Sequence, residues 1–100
     1  MKGYKLDPAL SMFLEKLHKL LRAEHSVELI GRTFLITLSK GKFIKKEVMK
    51  ISQTENLVGI DIYLDNIDDK CIPDVEHMIS HLENMLEKKD VQLVVNKIEL

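Results

Sequence analysis

The sequence predicts an α+β domain of two layers, in which two helices cover one face of an antiparallel β-meander. Two segments, one in each half of the chain, repeat apolar residues every three or four positions, as one-sided helices do. The segments between them alternate apolar and polar residues and are separated by glycine-containing turns, which is typical of short strands. Since a one-sided helix and a half-apolar sheet must bury each other, we expect the order α-β-β-β-β-α-β.

Length and composition indicate a single globular domain, residues 1–100. Of the 100 residues, 45% are hydrophobic and 31% are charged, a balance that argues against disorder. The lone Cys71 cannot form an internal disulfide, and no apolar run at the amino terminus resembles a signal peptide or membrane span. We therefore expect a cytoplasmic protein. The net charge of −1 gives no overall attraction to nucleic acid or to an anionic membrane.

The first helix is predicted to begin at Asp7 and Pro8, an N-cap residue and a first helical residue. Its apolar stripe consists of Leu10, Phe13, Leu14, Leu17, Leu20 and Leu21. Met12 points almost opposite that stripe, where it is either a tolerated exposed side chain or a contact for a second subunit. A small core and open sheet edges also favour self-association. We expect a homodimer, formed either by edge pairing or by helix packing.

Strands are predicted from about Ser26 onward. A tight connection at Gly31-Arg32 leads to the segment 33–38, which is apolar on both faces and therefore suits the inside of a sheet. The next break, at Lys40-Gly41, is interpreted as a two-residue hairpin turn in which Gly41 takes a positive φ. With that turn, Phe43 is expected to lie opposite Leu38 on the returning antiparallel strand.

The segment from Phe43 to Ile51 fits either a strand or a helix. A strand is favoured because the Gly41 turn and a polar turn at 52–56 bracket the segment. As a strand it places Met49 on one face, with Phe43 and Ile51, and Val48 on the other, with Ile44. A half-buried strand follows from Gly59 to Asp65.

The second helix is predicted to begin at Pro73, with Asp74 complementing the helix dipole and lysines at its carboxyl end. Its apolar stripe consists of Val75, Met78, Ile79, Leu82, Met85 and Leu86. Val91 to Leu100 forms a closing strand, and the sequence leaves its pairing partner open.

No residue pattern specifies a reaction. His77 and His81 have the i, i+4 spacing of zinc ligands, but they flank or oppose the apolar stripe, so we interpret them as solvated. Asp61 and Asp65, four residues apart in one strand, would be separated by about 13 Å, too far for paired acid–base catalysis. Cys71 is interpreted as a small packed residue at a helix entrance. We expect no enzyme, metal or cofactor.

Charge is segregated along the chain. Residues 32–50 contain six basic side chains and one acid, whereas residues 55–76 contain seven acids and one lysine. One interpretation is cross-strand pairing, with Lys45, Lys46 or Lys50 near Asp61 and Asp65. The other is a basic hairpin that contacts a partner.

These observations favour a small non-enzymatic protein interaction module, such as an adaptor, inhibitor, immunity factor or dedicated chaperone. The predicted partner-binding residues are Met12, Lys42, Phe43, Lys45 and Lys46. The alternative is a nucleic-acid-binding accessory protein that uses the basic hairpin 40–50. No membrane partner is expected.

Overall fold

The computed structural model describes residues 5–99, in which two α-helices lie against a five-stranded mixed sheet. The predicted α+β order is confirmed. Short 3-10 turns at Leu64–Asn66 and Asp69–Cys71 connect the fourth strand to the second helix. The main elements are α1 (Pro8–Leu21), β1 (Glu24–Ile30), β2 (Thr33–Lys40), β3 (Lys46–Gln53), β4 (Leu57–Tyr63), α2 (Ile72–Glu87) and β5 (Gln92–Ile98).

The strands follow one another across the sheet in their sequence order, β1-β2-β3-β4-β5. β1 to β4 form the predicted antiparallel meander. β5, whose partner the sequence left open, is parallel to β4, from the pair Leu57–Gln92 to the pair Tyr63–Ile98. A parallel neighbour requires a long crossover, which α2 supplies. The predicted end of this strand, Leu100, lies outside the described residues.

The core lies between one face of the sheet and both helices, which also contact each other. Three helical positions, Leu10, Leu17 and Leu86, are completely inaccessible to solvent. The sheet contributes alternate residues of β2 and β4 and two adjacent residues of β3. Its buried apolar side chains are Phe34, Ile36, Leu38, Val48, Met49, Ile51, Val58, Ile60 and Ile62.

The start of α1 is tied to both layers. The Asp7 side chain caps the helix by accepting a 2.8 Å hydrogen bond from the backbone N–H of Ala9, and it accepts a second from Lys89 Nζ, also at 2.8 Å. Gln53, only 5% exposed, accepts from the Asp7 backbone N–H at 2.9 Å and donates to the Lys5 carbonyl oxygen at 3.2 Å. The predicted N-cap is confirmed, and β3 fixes its position.

The hairpin between β2 and β3 differs from the predicted one. The segment after Gly41 is a strand, not a helix, but the strand begins only at Lys46, so five residues rather than two form the connection. Leu38 pairs with Met49, and Phe43 pairs with nothing in the described sheet. The positive φ of Gly41 is confirmed, at 122°.

A β-bulge changes which β3 side chains reach the core. Leu38 pairs with Met49 and Ser39 with Glu47, which leaves Val48 as the extra residue. Val48 and Met49 are both fully buried, whereas the predicted alternation put them on opposite faces. An extra residue bends the strand and lets two neighbours share one face.

Three element ends also differ from the prediction. β1 begins at Glu24, two residues before Ser26. β4 ends at Tyr63, so Asp65 lies in a 3-10 turn and does not share a strand with Asp61. α2 begins at Ile72, which makes Pro73 its second residue and leaves Cys71, partly buried against the core, at the helix entrance as expected.

Candidate functional site

The loop between β2 and β3, residues 41–45, is the candidate functional site and is called the basic loop below. Gly41 opens it with a φ of 122°, a conformation that residues with a side chain rarely adopt. A Cβ atom at Gly41 would also clash with the carbonyl oxygen of Ile44. The loop therefore folds back on Gly41, and its shape requires glycine there.

Two large apolar residues that are adjacent in the sequence are largely exposed to solvent in the basic loop. Phe43 is 98% exposed and Ile44 is 79% exposed, the highest values among the exposed large hydrophobic residues of the described chain. The sequence singled out Phe43, but Ile44 was missed because it was assigned to the face of a strand. The sequence feature that could have indicated Ile44 is the adjacent Phe-Ile pair between two lysines. The five-residue loop places this pair outside the sheet.

Lysines surround this apolar pair. Residues 40–46 contain Lys40, Lys42, Lys45 and Lys46 and no acidic residue. Within residues 5–99, none of these four forms an ion pair. Lys40 and Lys46 are direct cross-strand partners at the base of the loop, an arrangement of like charges that is destabilising in a sheet.

The predicted cross-strand charge pairing is only partly present. Lys50 is directly opposite Asp61 in the β3–β4 register, as expected. Its Nζ nevertheless lies 3.4 Å from Glu47 Oε2, while Asp61 accepts a 3.0 Å hydrogen bond from Asn96. Lys45 lies in the loop and Lys46 opposite Lys40, so neither is a register partner of Asp61 or of Asp65. Neither Lys45 nor Lys46 is therefore a direct cross-strand partner of an acidic residue.

The base of the loop is anchored to the acidic half of the chain. The Asn66 side-chain amide donates a 2.8 Å hydrogen bond to the carbonyl oxygen of Glu47, next to the bulge at Val48. This contact joins the start of β3 to the 3-10 turn after β4. The two strands that flank the basic loop are paired with each other, and this contact fixes the start of the second one.

Met12, the remaining predicted binding residue, lies in a different feature. It is 50% exposed and lines a groove of about 230 Å³ between α1 and α2, together with Phe13, Met85 and both His77 and His81. The structure thus brings Met12 close to the two histidines but not into the basic loop. Methionines at a groove suit adaptable packing.

The histidines are candidates for metal ligation, since His77 and His81 have the spacing of zinc ligands. Among residues 5–99, no group of three or more His, Cys, Asp or Glu side chains is placed to hold a metal ion. His18 Nδ1 lies 2.8 Å from the Ala23 carbonyl oxygen, beyond the last turn of α1, which gives this histidine a structural contact.

Comparisons with known proteins provide no functional lead. No protein-family model matches the chain, and neither a curated protein nor a solved structure matches it. In the described part of the chain, neither helix combines the length and the apolar character needed to cross a bilayer. The assignment of function therefore depends on the geometry of the basic loop.

Proposed function

We propose that this protein is a small non-enzymatic interaction module that binds a protein partner through the basic loop. The observation that supports the proposal is the nearly complete exposure of the adjacent Phe43 and Ile44. Monomeric proteins tolerate scattered exposed apolar residues, but two large ones together on an anchored loop suit a contact that buries them. An adaptor, an inhibitor, an immunity factor and a dedicated chaperone would all use such a contact.

The partner surface can be described by its chemistry. Burying the Phe43 and Ile44 side chains would contribute about 1.5 to 3 kcal/mol each to the binding free energy. We therefore expect an apolar pocket at the centre of the partner surface. Lys42, Lys45 and Lys46 would lie at its rim, where carboxylates would speed association and select the partner. We therefore expect an acidic protein with an apolar pocket.

Nucleic-acid binding is the second candidate function, and the four lysines of residues 40–46, with no acid among them, favour it. Phosphates would neutralise them, and Phe43 could stack on an unpaired base for about 1 to 3 kcal/mol. Ile44 is aliphatic and cannot stack on a base as an aromatic ring does, so its exposure is better explained by an apolar pocket on a protein. The acidic segment at residues 55–76 also opposes binding of a polyanion.

Site-specific photocrosslinking tests the proposal. A photoreactive amino acid at position 43 should capture one protein in cells, whereas the same group at Glu83, an exposed position on α2, should not capture it. The capture should disappear when Ile44 is also changed to Ser. A capture that does not depend on Ile44, or equal capture from position 83, would contradict the proposal.

A binding titration separates the two candidates. We expect the purified protein to bind a single-stranded 20-mer only weakly at physiological salt, with or without Phe43→Ser and Ile44→Ser. Tight binding that is lost when Lys42, Lys45 and Lys46 become Gln, and steep salt dependence, would favour nucleic acid instead. Vesicles of anionic lipid provide a third arm, and tight binding to them would likewise contradict a protein partner.

A further inference from the structure

β1 forms one edge of the sheet, and within residues 5–99 its only neighbouring strand is β2. All seven of its residues, Glu24 to Ile30, are exposed. They include three large apolar side chains, Val27 at 45%, Leu29 at 49% and Ile30 at 55%. Along its outer side β1 offers a row of backbone N–H and C=O groups that can pair with another strand.

Natural sheets usually protect such an edge with lysine, proline or a bulge. β1 contains neither lysine nor proline, and it pairs with β2 without a shift in register. The opposite edge, β5, carries Lys97, whose Nζ lies 2.8 Å from Glu76 Oε2. β1 therefore lacks lysine, proline and a bulge, and its charged residues are Glu24 and Glu28.

Two of the apolar side chains of β1 lie on the helix-covered side of the sheet but have no helix over them. Val27 and Leu29 are register partners of Ile36 and Phe34, which belong to the buried face. α1 starts beside Gln53 of β3, and its Ser11 and Glu15 line a surface pocket with Glu24 and His25 at the start of β1. Leu29 lies near the other end of the strand and is 49% exposed. The side of β1 near Leu29 is consequently open.

We propose that β1 pairs antiparallel with β1 of a second copy, about a two-fold axis through Val27. The two sheets then form one continuous sheet, and the helices of both copies lie on the same side. In this register Val27 faces Val27 of the second copy, His25 faces Leu29, Ser26 faces Glu28 and Glu24 faces Ile30. All seven residues of the strand are paired, and the backbone groups of both edges gain partners.

The charges of β1 exclude the two neighbouring registers. A two-fold axis perpendicular to the sheet pairs residues that lie on the same face. Because side chains alternate between faces, the axis must lie midway between the two copies of one residue, and each register is named by that residue. An axis at Glu28 would place two glutamates directly opposite each other, and an axis at Ser26 would place Glu24 opposite Glu28. Both are destabilising. With the axis at Val27, no two glutamates are directly opposite each other. Glu28 is a diagonal neighbour, about 7–8 Å away, of both Glu24 and Glu28 of the second copy on the solvated face.

The first test is the mass in solution. Light scattering at micromolar concentration should give twice the 11.6 kDa of one chain. Val27→Lys places two like charges at the axis and should give the mass of a single chain with an unchanged circular dichroism spectrum. The control is Val94→Lys on β5, where Val94 is 40% exposed, and it should leave the dimer intact. A wild-type monomer, or a dimer that survives Val27→Lys, would overturn the proposal.

Cysteine crosslinking tests the register itself. In a Cys71→Ser background, Val27→Cys should form an intermolecular disulfide under mild oxidation, because opposite residues in an antiparallel pair have Cα atoms about 4.5–5.5 Å apart. Leu29→Cys alone should remain reduced, whereas mixing it with His25→Cys chains should crosslink the two. Crosslinking of Leu29→Cys to itself, or none of Val27→Cys, would contradict the axis. The dimer does not depend on the basic loop, so either proposal can fail alone.

Discussion

Gly41 determines the shape of the basic loop at the scale of a single residue. The break in the strand pattern at Lys40-Gly41 was enough to predict its positive φ, because few residues other than glycine adopt one. The same break was not enough to predict the loop length, since glycine opens hairpin loops of two to five residues. Phe43 and Ile44 were therefore assigned to a strand, although they are the most exposed large apolar residues described.

We expect Gly41→Val to lower the free energy of unfolding by about 1 kcal/mol or more, as strain at positive φ adds to the clash with the Ile44 carbonyl. The matched control is Gly31→Val. Gly31 also has a positive φ, of 62°, but a Cβ atom there meets nothing within 4 Å. Urea denaturation measures both variants. If Gly31→Val proved the more damaging, the described conformation of the loop would be wrong.

At the scale of elements, the start of α1 was predicted better than the register between β2 and β3. Asp7 and Pro8 indicate the start of α1 because an N-cap residue and a following proline are typical of helix starts. The structure has the cap at the predicted position. The bulge at Val48 has no such local signal, because it depends on how β3 fits against β2. The contact of Lys89 with Asp7 joins residues far apart in the sequence and is likewise invisible to local patterns.

Asp7 has two separable roles, and its variants should distinguish them. Asp7→Ala removes the cap and the ion pair and is expected to cost about 1 to 2 kcal/mol of stability. Asp7→Asn keeps an N-cap acceptor but loses the charge, so it should cost only a few tenths of a kcal/mol, similar to Lys89→Ala. Thermal denaturation monitored by circular dichroism provides the comparison. Equal losses for Asp7→Asn and Asp7→Ala would show that the cap contributes little.

At the scale of the whole molecule, the fold class followed from the order of elements, whereas the neighbour of β5 did not. The periodicity of each segment predicts helices and strands and the faces they bury. Nothing local in residues 92–98 specifies a parallel partner, because that choice depends on where α2 returns across the sheet. Local sequence also does not specify that Met12 lies away from the basic loop, since its position depends on how the two helices pack together.

The groove between the helices contains His77 and His81, and we expect it to bind no stoichiometric zinc. Its other polar lining residue is Lys16, which is a poor ligand while charged, and no third ligand joins the histidines in the described part of the chain. Elemental analysis of protein purified without chelator tests this expectation. Stoichiometric metal that is lost in His77→Ala, but retained in His25→Ala, would overturn it.

The affinity of the captured partner for the basic loop tests the central claim most directly. The dissociation constant is measured by calorimetry for the wild-type chain, for Phe43→Ser with Ile44→Ser, and for Met12→Ser as a control on the helix groove. Removing the two buried apolar side chains should reduce the binding free energy by about 3 to 6 kcal/mol and so weaken binding at least about 100-fold. Met12→Ser should change the affinity little. An unchanged affinity in the loop variant, with a loss in Met12→Ser, would place the binding site in the groove and contradict the account.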